Sequence, residues 1–168
     1  LDSIELRGTL EGLAARFAAE RGASARSLEP LKECLGDLDQ LVRQDPISVE
    51  AFSAYVTMNA RFHALLNELS ASAPLIREID RVSALPFASP SAFVMAQSAL
   101  PEAHQILLLG QDHHRIVVDA IENREGARAE AVMREHSRLA ARNLRLAIRN
   151  RTHLELMPAL ALLTSSAE

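Results

Sequence analysis

The sequence has no tryptophan, one tyrosine, one cysteine and, among 18 basic residues, a single lysine, Lys32. Each shortage excludes something. Aromatics make up only 4% of the chain. Strands draw on aromatic and β-branched residues, so a core this poor in aromatics is built more readily from aliphatic helix faces. Cys34 has no partner for an internal disulfide, which fits a reducing cytosol. No basic-then-apolar leader opens the chain and no apolar run approaches the ~18 residues of a membrane span, so neither secretion nor membrane insertion is expected. A formal charge of −4 argues against a nucleic-acid surface, which needs clustered Lys and Arg. The first residue is Leu1 where a start would have Met, as in a processed product or a piece excised from a longer chain.

What is present is aliphatic and periodic. Apolar residues, chiefly Ala and Leu, make up 48% of the 168 positions, enough for one domain with a sizeable core. Leu6, Leu10, Leu13 and Phe17 recur at helical spacing between Ser3 and Arg21, with Asp2 or Ser3 to cap the start and Gly22 after the end. A second helix starts between Ser24 and Glu29 and carries Leu28, Leu31, Leu35, Leu38, Leu41 and Val42 on one side. Pro30 is tolerable only in its first turn, and Asp45-Pro46 stops it. Ser48 caps a third helix to about Ser70, and Pro74 to Leu85 forms a fourth. "PFASPSAF" has the composition of a loop. A fifth helix runs from about Pro101 to Asn123, with Gly110 as a potential break, and a sixth from about Ala127 to Asn150. The tail, residues 151–168, packs as a last short helix or frays. No stretch alternates with period two. The expected fold is all-α, an antiparallel bundle of six to seven helices.

Within the third helix, Asn59 and His63 stand four apart on one face of an apolar pattern, "NARFHALL". They form either a local hydrogen-bonded pair or part of a site completed by other helices. His114, beside Val117, Val118 and Ile121, and His136, beside Val132, Met133 and Leu139, can also face inward. Three imidazoles on three helices could converge on a metal, and imidazole suits Zn, Ni, Fe or Cu. A core histidine donating to a backbone carbonyl explains each one singly.

Local context adds a resemblance. "ELRGTLEGLAARFAAE", "NARFHALL" and "HHRIVVDAIENREGARAEAVMREH" resemble three blocks of the FCD domain, the ligand-binding domain of FadR-type GntR bacterial transcription regulators. The blocks span roughly residues 1 to 145. The last is the most specific, because it fixes two histidines across a helix–turn–helix. The resemblance implies an effector-binding and dimerisation domain over residues 1–150, with a central cavity. Its metal ligands would be Asn59, His63, His114 and His136, with Zn or Ni the expected ion. Asn59 stands where the family usually has Asp, so the ligands would all be neutral, and affinity for a hard cation should fall.

The implied effector is a small organic acid or sugar acid. Arg7 is a candidate second clamp on its carboxylate; the competing reading is a solvated Arg7 paired with Glu11. His113 would replace His114 if the register slipped by one, and His104 and His153 are expected on the surface. The resemblance further implies a cytoplasmic homodimer acting on operator DNA through an N-terminal winged helix-turn-helix, which residues 1–168 do not contain. No enzymatic role is expected. The alternatives are a metal-dependent helical-bundle enzyme and a metal-free helical dimerisation module. For the enzyme, Asp112, Asp119 and Glu135 are the acids nearest in sequence, and they should point away from the histidines.

Overall fold

The first helix, α1 (Asp2–Arg21), buries an unexpected side. Its buried residues are Ile4, Arg7, Gly8, Glu11, Gly12, Ala14, Ala15, Ala18 and Ala19. Of the leucine stripe, Leu6 is exposed, while Leu10, Leu13 and Phe17 are half-buried around Ala14 and the α4 residues Leu75 and Ile79. The structure, a computed structural model, describes residues 1–44, 47–86, 88–91 and 103–149, with the backbone alone for 103 and 143–149. Among these are five further helices: α2 (Ala25–Val42), α3 (Val49–Leu69), α4 (Ala73–Ser83), α5 (Ala103–Glu122) and α6 (Gly126–Arg149). No strand occurs among the described residues, and the all-α expectation holds. The predicted tail, 151–168, lies outside them.

The reason for the choice of face on α1 is its partner. α1 lies closest to α6, and small residues let the two backbones approach. A Cβ on Gly8 would sit 1.8 Å from Ser137 Oγ, and one on Gly12 would sit 2.8 Å from Arg134 Cγ. Glycine is required at both positions by this approach, and any larger residue must push α6 away.

Other local expectations fare variously. Ser24 caps α2 by accepting from Ser27 N, and Ser48 caps α3 by accepting from Ala51 N, each at 3.1 Å. At α1 neither Asp2 nor Ser3 is the cap. Leu1 holds that position without a side-chain bond, and Asp2 falls in the first turn, where its charge suits the helix dipole. Pro30 lies in the second turn of α2, because the Ser24 cap sets the start. Arg26 and Pro30 are both exposed, so the carbonyl that Pro30 cannot bond is open to water. Gly110 does not break α5. Its α-carbon faces neighbours at ordinary distance, with His136 Cε1 and Tyr55 Oη each 3.7 Å from where a Cβ would be. Gly22 ends α1 at φ 76°, in the left-handed region.

The apolar core is continuous across α2, α3, α5 and α6. Leu31, Leu38, Phe62, Leu66, Ile121 and Met133 are its largest fully buried members. No helix among the described residues is long and apolar enough to cross a membrane.

Candidate metal and effector site

Against that apolar core lies a buried polar cluster. His63 comes from α3, His114 from α5 and His136 from α6. Their ring centroids are 5.6 Å (His63–His114), 5.2 Å (His63–His136) and 4.4 Å (His114–His136) apart. One ring nitrogen from each lies within 4.8 Å of the other two. The Nε2 atoms of His114 and His136 are 3.3 Å apart. The Phe62 ring leans on His114 at 4.1 Å and closes one side. His63 Nε2 and His136 Nδ1 are buried with no hydrogen-bond partner. Burial first, and then the charges of neighbouring histidines, hold His114 and His136 well below the usual imidazole range; Arg7 adds to the effect on His136. Both rings are therefore neutral at pH 7, the form a metal requires.

Two of the three rings are oriented from outside. His63 Nδ1 faces Glu11 Oε1 at 2.9 Å, and the other oxygen of Glu11 accepts from Arg7 Nη1. Burial alone would raise the Glu11 carboxyl. The charges of Arg7 and His63 and the hydrogen bonds from both outweigh it, so its pKa lies below the ordinary carboxylate value. An ionised Glu11 can only accept, so His63 Nδ1 is the donor to it, and Nε2 is the ring atom left for another partner. His114 Nδ1 faces Gln111 Oε1 at 3.0 Å.

The other named residues have definite places. Asn59 is buried on the same side of α3 as His63; its Nδ2 donates to Ser91 Oγ at 3.0 Å, and Ser91 Oγ donates to Val56 O at 3.0 Å. That leaves the Asn59 carboxamide oxygen as its acceptor. Arg7 is paired with Glu11, but the pair is buried, so the solvated version of that pairing is corrected. Its Nε has no partner. His113 is half-buried beside the cluster, 6.0 Å from His136 by centroids, and His114 occupies the inner position. His104 is half-buried and its Nε2 bonds Val42 O at 2.8 Å, contrary to the surface placement expected of it. His153 lies outside the described residues. Asp112, Asp119 and Glu135 are exposed and paired with Arg115, Arg128 and Arg138, pointing away from the histidines.

Sequence reasoning missed Glu11 and Gln111 as parts of the site. Both were legible in outline: Glu11 lies four residues from Arg7, and Gln111 three residues before His114. Asking which polar residues share a helix face with a buried histidine finds Gln111 but not Glu11, whose histidine lies on another helix.

Comparison with curated proteins finds no match. Comparison with protein families does: the FCD domain matches residues 2–139. That match covers most of the 168 residues, and the chain belongs to the FCD domain family, the ligand-binding domain of GntR-type bacterial transcription regulators.

Proposed function

We propose that this domain senses a small carboxylate through a divalent transition metal, Zn or Ni, held by His63, His114 and His136, with the Asn59 carboxamide oxygen as a fourth ligand. The observation that carries the reading is the convergence of three inward imidazoles, two buried and one half-buried, with His63 Nε2 and His136 Nδ1 left unpartnered. Two nitrogens bound to one tetrahedral zinc at 2.0–2.1 Å stand about 3.3 Å apart, and the His114 and His136 Nε2 atoms stand at 3.3 Å. The bound ion supplies an uncompensated positive charge in a site of low polarity, which favours an anion. The chain's own charges do not offset it, because Arg7 and Glu11 neutralise each other.

The residues divide the work. Glu11 keeps His63 in the right tautomer. Phe62 excludes water from one side of His114. Arg7 has donors beyond the one that Glu11 takes, and these would grip the effector carboxylate. The acids of the neighbouring sequence are tied to surface arginines, so the effector is bound and released unchanged. In this reading the domain works as a cytoplasmic homodimer, and effector binding biases one dimer geometry, altering how a DNA-binding domain outside this chain meets its operator.

The test is a thermal melting scan against small organic acids, with and without a chelator, alongside elemental analysis of protein purified without added metal. An acid that binds only the folded state raises the midpoint. The rise should vanish with chelator and in His114→Ala, while helical content by circular dichroism is retained. An equal rise in His114→Ala, or indifference to chelator, overturns the metal-held carboxylate.

A further inference from the structure

Gln111 is fully buried, and its side-chain amide has a determined orientation. Its Nε2 donates to Asp39 Oδ1 at 2.6 Å and to Leu35 O at 3.1 Å, which uses both hydrogens. Turning the amide over would set its oxygen against a carboxylate oxygen and a backbone carbonyl, neither of which can donate. The orientation usually left open between amide oxygen and nitrogen is thus fixed by chemistry. Oε1 must face His114 Nδ1, 3.0 Å away. An amide oxygen only accepts, so the proton of a neutral His114 sits on Nδ1, and its Nε2 lone pair is aimed at the cluster.

We infer that Gln111 is a positioning residue, and that Asp39 on α2, acting through it, sets the tautomer of His114. A carboxylate–amide–imidazole chain of this kind does for His114 what Glu11 does directly for His63. It also brings α2, which carries none of the three histidines, into the site. The outer end of the chain is anchored: Arg115 donates to the same Asp39 oxygen from Nε at 3.1 Å and Nη2 at 2.7 Å. Asp39 and Arg115 both keep partial contact with solvent. A surface ion pair is thereby linked, through one buried amide, to the ring nitrogen that faces His136. The consequence for metal affinity rests on the three-histidine reading above; the tautomer does not.

The experiment reads both quantities on the 168-residue chain. In metal-free protein, long-range proton–nitrogen spectra of the imidazoles should show His114 protonated at Nδ1. Gln111→Leu removes the acceptor, and the population should move toward the Nε2–H form, which has His136 Nε2 at 3.3 Å to donate to. Zinc affinity, measured by competition with a chelating dye, should fall about 10- to 100-fold, the usual effect of removing an outer-shell partner. Asp39→Ala, at a half-buried position and gentler on folding, should move both readings in the same direction by less. It carries the test if Gln111→Leu does not fold.

An Nε2–H tautomer in the unaltered protein, or a tautomer unchanged in the folded variants, overturns the inference. If the unaltered protein takes up no zinc while the tautomer shifts as described, the positioning role stands and the metal reading falls. If it binds zinc and the variants bind as tightly, the metal reading stands and the role of Gln111 and Asp39 falls.

Discussion

Phe62 and His63 are neighbours in α3, both buried, and they belong to two different interiors. Phe62 joins an apolar core in which Leu31, Leu38, Leu66 and Ile121 surround one another without direction. His63 joins a polar cluster in which Glu11, Arg7 and two further imidazoles each meet at a particular atom. The first interior is set by volume and tolerates exchanges of similar size. The second is set by donors and acceptors, where one misplaced hydrogen leaves a buried group unsatisfied. Stability is concentrated in the first and specificity in the second, and the contact between Phe62 and His114 at 4.1 Å is where they meet.

The largest expected effect is on the apolar side. Phe62→Ala should destabilise the metal-free protein by about 3–5 kcal/mol through the cavity it leaves, read as a lower urea midpoint. It should also loosen His114. If the loss is below about 1 kcal/mol, the apolar interior collapses around the gap and is less rigidly packed than the polar cluster beside it.

A smaller effect tests the helix contact that carries His136. Gly8→Ala should destabilise by about 1–3 kcal/mol by overpacking, since the new methyl would meet Ser137 Oγ and Cβ. The double change Gly8→Ala with Ser137→Gly should recover much of the loss. A Gly8→Ala protein as stable as the original would mean that α6 shifts without penalty, so that the depth of His136 is not fixed by α1.

The gentlest test is titration. His114 and His136 have folded-state values below the ordinary 6.5. As pH falls below 6.5, the unfolded chain takes up protons that the folded one refuses, so stability present above that pH is lost as pH drops. Glu11, depressed below its ordinary 4.5, adds a second loss at lower pH. Thermal midpoints of metal-free protein should fall on acidification below about pH 6.5, and less steeply in His136→Leu. A midpoint flat through that range means the cluster admits protons and is wetter than its burial indicates.

The sequence was most legible where periodicity alone decides. The extent of α3 and its Ser48 cap follow from spacing and capping chemistry, whereas the start of α2 stayed open from Ser24 to Glu29 until the Ser24 cap placed it. It was least legible on α1. There the leucine stripe pointed to one buried face, and the protein buries glycines, alanines, Arg7 and Glu11 instead. Hydrophobic periodicity registers large side chains, whereas the α1–α6 contact is built from the lack of them. The same limit hid the burial of the Arg7–Glu11 pair, since a charged pair four residues apart ordinarily lies in solvent. Of the site, the three histidines were readable from their apolar neighbours and from the family blocks. Their outer partners were not, because Glu11 and His63 are separated by 52 positions and meet only through packing.

The sequence by itself determined that this chain is helical and where most helices begin and end, because each is a local matter of period, cap and neighbour. Only the tertiary structure decided which face of α1 is interior, which ring nitrogen of His63 faces Glu11, and that Asp39 reaches His114 through Gln111. Those follow from atoms on different helices coming within hydrogen-bond distance, and no spacing along one chain encodes that directly.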